Sequence, residues 1–162
     1  MAKTADFSAV VKMLRSGDLY YVVDAARVRE PAPQFKARLH VMHEAERAMS
    51  WRWYVATTEI GAASLFAEGD GAPVHGMLAR ADKFVRALRY AAAWNAGKVF
   101  VPRDAPWLND FLSEHASFTG VNDKRDDIID AAVAAFDVLH TDGSTAFAAD
   151  SSAPAPLRSA RI

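Results

Sequence analysis

The chain contains no cysteine. That absence excludes a disulfide framework, a thiolate zinc site and a cysteine nucleophile, so any metal must be held by oxygen or imidazole ligands. An excess of either charge is also lacking. Lysine and arginine total 19 against 20 aspartates and glutamates, for a formal net charge of -1. The balance announces neither nucleic acid nor an anionic membrane, and leaves a local basic patch as the way to bind a polyanion. No apolar run is long enough to span a bilayer, and the opening Met-Ala-Lys-Thr-Ala-Asp is too polar for a signal peptide. The expectation is a soluble, intracellular protein with no membrane partner. There is no internal repeat.

What is present suits one domain of ordinary size. The 162 residues are 51% hydrophobic, enough to bury a proper core. After Thr141 the composition turns to Ala, Ser, Pro and Gly, with little to bury between Ser144 and Arg158. The expected division is a domain over residues 1–142 and a disordered or linker-like tail over 143–162.

Residues 7–14 and 19–28 are rich in Val, Tyr and Leu, and a short polar loop with glycine, residues 15–18, lies between them. That pattern predicts a β-hairpin. Pro31 and Pro33 break the extended stretch, and Phe35, Leu39 and Met42 begin a helical period that runs to about Met49. Residues 51–58 are aromatic and β-branched, predicting a strand that delivers Glu59 to its C-terminal end. A strand after a crossover helix usually pairs in parallel, with active groups at the carboxyl ends of such strands. Beyond it come a short helix over 61–68, a loop over 69–73 and a strand over 74–78. Residues 81–95 form a stronger helix, with Phe84, Val85 and Leu88 spaced for burial and Gly97 placed as a C-cap. A small extended piece over 98–102 follows, then a helix opened by Ala105-Pro-Trp-Leu108.

The last helix is the best marked. Ile128, Ile129, Ala132, Val133, Phe136 and Leu139 recur at the spacing of one buried face. Asp126 and Asp127 lie at its start, and Asp130 follows four residues after the first and three after the second, within reach of both on one helix. Aspartates favour helix N-termini because they accept orphan backbone N–H bonds and offset the macrodipole. Capping, however, needs one acid or two, and like charges this close repel unless a cation joins them. Both readings stand on the residues alone.

Two further features carry chemistry in the same provisional sense. Glu59, at a strand end, is either an exposed acid or a ligand. Lys83, Arg86 and Arg89 recur at three-residue intervals along one helix, with Arg80 just before. They form a face that is either merely solvated or a contact for phosphate.

The order of these elements resembles a specific family. Tyr20-Tyr-Val-Val-Asp-Ala-Ala-Arg27, the strand ending in Glu59, Asp82-Lys-Phe-Val-Arg-Ala87, Asn95-Ala-Gly-Lys-Val-Phe-Val-Pro102, Ala105-Pro-Trp-Leu108 and Arg125-Asp-Asp-Ile-Ile-Asp-Ala131 look like the C-terminal nuclease domain of phage terminase large subunits. The similarity runs over residues 3–139. It implies a ribonuclease-H-like α/β fold, a mixed sheet with helices on both faces, and cleavage of viral DNA during genome packaging. It also implies a divalent ion, Mg²⁺ or Mn²⁺, held by acidic side chains. Double-stranded DNA would be the substrate, and an upstream ATPase motor domain, a small terminase subunit and a portal would be partners, in the cytoplasm of a phage or prophage host.

Carried over by position, Glu59 matches the family's acid at the end of the central strand. Asp126 and Asp127 match its paired aspartates before the last helix, where Arg125 stands in place of the more usual histidine. Lys83 and Arg86 match the basic, DNA-binding segment. The family's remaining metal-binding aspartate sits on a strand ahead of residues 3–8, and Asp6 resembles a later acid instead. Two-metal hydrolysis needs several hard oxygen ligands holding ions about 3.5–4 Å apart. The resemblance therefore implies an impaired or incomplete nuclease site, unless another acid such as Asp6, Asp24 or Asp130 completes it. A non-catalytic α/β module that binds DNA or a protein, or another ribonuclease-H-like nuclease, are the alternative functions.

Overall fold

A computed structural model describes residues 7–45, 51–55, 74–78, 83–121 and 123–141. The first two strands, β1 (Ser8–Ser16) and β2 (Leu19–Val28), are neighbours in one sheet, joined only by Gly17 and Asp18. A two-residue connection can join adjacent strands only in the antiparallel sense. Gly17 supplies the positive φ, 61°, that this tight turn demands. The hairpin is thus the one expected, its second strand with the expected bounds and its first running two residues further, to Ser16, which shortens the turn.

The third strand of this sheet, β5 (Val99–Phe100), pairs with β2 in parallel, Tyr20 opposite Val99 and Tyr21 opposite Phe100. The Tyr20 N–H donates to the Lys98 carbonyl at 2.8 Å. The rings of Tyr21 and Phe100 stack with centroids 5.3 Å apart. Lys98 also reaches the turn, placing its ammonium 2.9 Å from Asp18 and holding that carboxyl below its ordinary value. Antiparallel and parallel pairing together make the sheet mixed.

Among the described residues, three helices complete this part of the molecule. The first of them, α2 (Lys83–Asn95), ends where Gly97 takes φ 69°. There Lys98 N–H donates to Ala93 at 3.0 Å and Gly97 N–H to Trp94 at 2.9 Å, the paired bonds of a Schellman cap. The chain passes from that cap directly into β5. Next come α3 (Leu108–Ser117) and α4 (Asp127–Thr141), and α2 and α3 both pack against α4.

The core sits where these elements meet the sheet. Along α4, Ile128, Ile129, Ala132, Val133 and Phe136 are buried, the face expected from the periodicity. Phe136 lies 4.5 Å from Tyr20 of β2 and 5.5 Å from Tyr90 of α2, so one side chain of α4 ties strand and helix together. His115 of α3 is enclosed in the same region, stacked on Phe111 at 4.0 Å. Its Nδ1–H donates to the Phe111 carbonyl at 2.7 Å, which leaves Nε2 to accept the Tyr90 hydroxyl at 3.2 Å. Burial lowers the His115 pKa to about 4 and pushes that of the Tyr90 hydroxyl up.

The chain divides into two compact units. One comprises Ala9–Ala26 and Lys83–Ile162, and holds the core just described. The other comprises Met1–Ser8 and Arg27–Asp82. It contains α1 (Ala32–Ala45) and a parallel pair, β3 (Trp51–Val55) with β4 (Val74–Leu78), in the register Trp51 opposite Val74. The Pro31 carbonyl accepts the Gln34 and Phe35 N–H groups at 3.0 and 3.1 Å and so starts α1. Pro33 fits in its first turn, where a missing N–H costs nothing. Phe35 and Leu39 are buried, one helical turn apart. Arg38 pairs with Glu30, lowering the glutamate pKa and raising that of the arginine. No helix among the described residues is long and apolar enough to cross a membrane.

Three local expectations change. The helix predicted from Ala105 starts at Leu108, because Ala105 accepts the Leu108 N–H in a preceding turn at 3.1 Å. The first helix spans Ala32–Ala45, starting before Phe35. On α2 the large residues expected inside are outside, with Phe84, Val85 and Leu88 exposed at 48%, 54% and 50%, while Ala87 and Tyr90 face the core. The expected helix over 61–68, the loop over 69–73 and the tail over 143–162 lie outside the described residues.

Candidate functional site

The approach to α4 is built by hydrogen bonds to Asp123. Its carboxylate accepts the Thr119 N–H at 3.1 Å, the Thr119 hydroxyl at 2.8 Å and the Gly120 N–H at 2.6 Å, closing the loop before the helix. Gly120 sits at φ 79°, and a Cβ placed there would come 2.8 Å from Cδ2 of Phe84. The first turn of α2 therefore lies against the loop that leads to the paired aspartates.

Asp126 is the N-cap of α4, for its carbonyl accepts the first helical bond, from the Asp130 N–H at 2.9 Å. An N-cap aspartate ordinarily turns its own carboxylate onto the second or third amide of the helix. Here both amides are taken. The Ile128 and Ile129 N–H groups donate to Oε1 of Glu114 at 2.6 and 3.0 Å, and Glu114 comes from α3. It is 4% exposed. A buried carboxylate from a neighbouring helix thus performs the capping that the sequence suggested for Asp126 or Asp127.

Asp126 and Asp127 are half-buried at this helix end, and Asp130 one turn on is half-buried too. Among the described residues no three histidine, aspartate or glutamate side chains form a group able to hold a metal ion. What the described part of the site offers is an adjacent pair of carboxylates. Their hard oxygens are the donor type that Mg²⁺ and Mn²⁺ prefer. The pair fits part of a ligand set, and Glu59, the candidate for a further ligand, lies outside the described residues.

Arg86 is half-buried on α2. Lys83 opens that helix, and its side chain lies outside what is described. Because Phe84 touches Gly120, the helix end that carries both basic residues adjoins the loop entering the aspartate pair.

A family model, the terminase RNaseH-like domain, matches residues 1–138. The chain belongs to that family. Searches of curated proteins and of solved structures gave no match. The terminase RNaseH-like assignment agrees with the α/β fold and mixed sheet described above. It carries the general implication of a terminase nuclease domain, with DNA as substrate and packaging machinery as partner.

The cap that Glu114 supplies across two helices of the terminase domain has little mark in the sequence. One signal was available. Phe111, Glu114 and His115 share a helical face at i, i+3 and i+4, so an acid stands on the side of the helix that an apolar residue marks for burial.

Proposed function

We propose that this chain is the DNA-cutting domain of a phage or prophage packaging terminase, hydrolysing phosphodiester bonds of double-stranded DNA. Asp126, Asp127 and Glu59 would hold a divalent cation, Mg²⁺ or Mn²⁺. When bound, such a cation activates water and stabilises the departing oxygen of the cleaved phosphodiester. Lys83 and Arg86 contribute the attraction for the DNA backbone, drawing phosphates toward the carboxylates by contacts that carry no base information.

The observation that carries this reading is the cap. Two aspartates at a helix start are ordinarily explained by capping, but the amides they would cap are bonded to Glu114. The pair stands half-buried at the start of α4, and its hard oxygens are of the donor type that a divalent cation takes. The number of ligands limits the activity. With an adjacent pair in the described region and Glu59 as the third acid, cleavage by the chain alone is weak.

The test is nicking of supercoiled plasmid in Mn²⁺, with calorimetric titration of Mn²⁺ alongside. Weak nicking and measurable Mn²⁺ binding, both abolished by Asp126→Asn, Asp127→Asn or Glu59→Gln, are expected. Nicking that survives all three substitutions would place the chemistry elsewhere. Failure to bind Mn²⁺ in a folded chain that still binds DNA would favour a non-catalytic DNA-binding module.

A further inference from the structure

α2 has two apolar faces. Ala87 and Tyr90 belong to the core, while Phe84, Val85 and Leu88 on the other side stand half-exposed to water. A helix that is apolar on both sides ordinarily lies between two layers, since a stripe left in water forgoes the burial that would stabilise it. The loop before α4 extends the outer stripe. Gly120 lies against the ring of Phe84, and Val121 next to it is 70% exposed. Apolar surface therefore continues from helix to loop within one compact unit.

The border of this surface carries charge of one sign. Among the described residues of α2 and of the stretch 118–125, the exposed charged side chains are Arg89, Lys124 and Arg125, all cations. Arg89 stands one helical turn on from Val85, and Lys124 and Arg125 follow Val121 closely in the chain. An apolar centre with a cationic border matches a partner that offers flat apolar faces along a polyanionic backbone. Nucleic acid with unpaired bases has that chemistry. A paired duplex turns its phosphates outward and keeps its base faces stacked inside, so it answers the cations but leaves the apolar centre with little to cover. A second copy of this chain would bring further cations to the border, not the acids that would balance it.

We propose that this surface takes bases released from pairing, so that the domain prefers locally opened DNA to intact duplex. Phe84, Val85, Leu88 and Val121 cover the faces of unstacked bases. Arg89, Lys124 and Arg125 hold the adjoining phosphates by contacts that carry no sequence information. The loop that contributes Val121 leads into Asp126 and Asp127, so an opened strand is held beside the acids at the start of α4. The assignment deepens the DNA-cutting function proposed above and rests on its DNA binding alone, whatever holds the cation.

Binding of the full chain without metal is measured by fluorescence anisotropy, on a paired duplex and on the same duplex carrying a central run of mismatches. The parent is expected to bind the mismatched duplex about tenfold more tightly, the size of one base stacked on the surface. Leu88→Ser with Val121→Ser, both at exposed positions, removes most of that preference. Lys124→Ala with Arg125→Ala weakens binding to both duplexes and flattens its dependence on salt.

Equal affinity of the parent for the two duplexes would overturn the preference and leave the DNA reading standing. An undiminished preference in the folded Leu88→Ser, Val121→Ser chain would do the same. Should that chain not fold, Val121→Ser alone replaces it, a reduced preference supporting the assignment and a parental one overturning it. Failure of the folded parent to bind either duplex would overturn the DNA reading and this assignment together. Sedimentation tests the rival occupant. Self-association of the parent that Leu88→Ser with Val121→Ser abolishes, with the preference for mismatches intact, would make the face a contact between copies and overturn its role toward DNA.

Discussion

Arg15 of β1 donates from Nη1 to the carbonyl oxygen of Leu139 at 2.6 Å, across 124 residues of chain. The same guanidinium donates from Nε to the Gly17 carbonyl at 2.8 Å, so it is held by the hairpin turn while it reaches the last turn of α4. Carbonyls at a helix C-terminus lack intrahelical partners and carry the negative end of the dipole, which a cation offsets. Arg15→Ala should cost about 2 kcal/mol in chemical denaturation, the sum of a charge-assisted bond and the dipole interaction. Arg15→Lys should recover only part of it, because a point charge cannot serve hairpin turn and helix end together.

His115 gives the fold an acid limit. The unfolded chain accepts a proton at this histidine below about pH 6.5, while the folded chain excludes it until about pH 4, because the ring is enclosed and neutral. Stability from this residue is complete above pH 6.5 and is lost as the pH falls toward 4. The slope is about 1.4 kcal/mol per pH unit and the total about 3 kcal/mol. Urea unfolding at pH 7, 5.5 and 4.5 should show the parent losing this amount relative to His115→Gln. Parallel curves for the two chains would show that the folded chain takes up the His115 proton as readily as the unfolded one.

Gly120 should resist any side chain. Its φ of 79° disfavours other residues, and a Cβ would press on Phe84 at 2.8 Å. Gly120→Ala is expected to cost about 1–2 kcal/mol from the backbone alone, with some relief because half-exposed Phe84 can swing outward. A thermal melt checks the cost. If the loop sets the approach to the aspartates, Mn²⁺ affinity falls in the same variant.

Replacing Lys83 and Arg86 with alanine should weaken binding to unrelated DNA duplexes alike. It should also reduce the slope of log affinity against log salt by about 0.9 for each phosphate no longer neutralised. Fluorescence anisotropy at several salt concentrations measures both. An unchanged slope would return these residues to an ordinary solvated face.

The elements that sequence made legible are those fixed by local rules. Gly97 marks a cap because only glycine enters that φ easily, and residues 74–78 mark a strand by composition and flanking turns. The α4 stripe was clear because its large apolar residues, Ile128, Ile129, Val133 and Phe136, share one face, and they are buried. On α2 the period was visible but its phase was not. Phe84, Val85 and Leu88 form one stripe and Ala87, Tyr90 and Trp94 another, and Tyr90 of the second meets the ring of Phe136 on a helix far along the chain. The aspartate pair was legible as acids at a helix start, whereas the choice between capping and another role was not. Nor was the cap from Glu114, whose bond to Ile128 joins residues that the chain alone gives no reason to pair.

The unit that carries α4 is made from two separate lengths of chain, Ala9–Ala26 and the part from Lys83 onward. All of its core residues lie in those two lengths. Neither can stand in for the other, since the later one leaves β5 without β2 and Phe136 without Tyr20. The covalent link between them is therefore dispensable in principle, and their affinity for each other is the fold itself. Co-expressed as two polypeptides, one ending after Ala26 and one starting near Lys83, they are expected to reassemble by complementation, with β5 pairing β2 and Phe136 meeting Tyr20 only when both fragments are present.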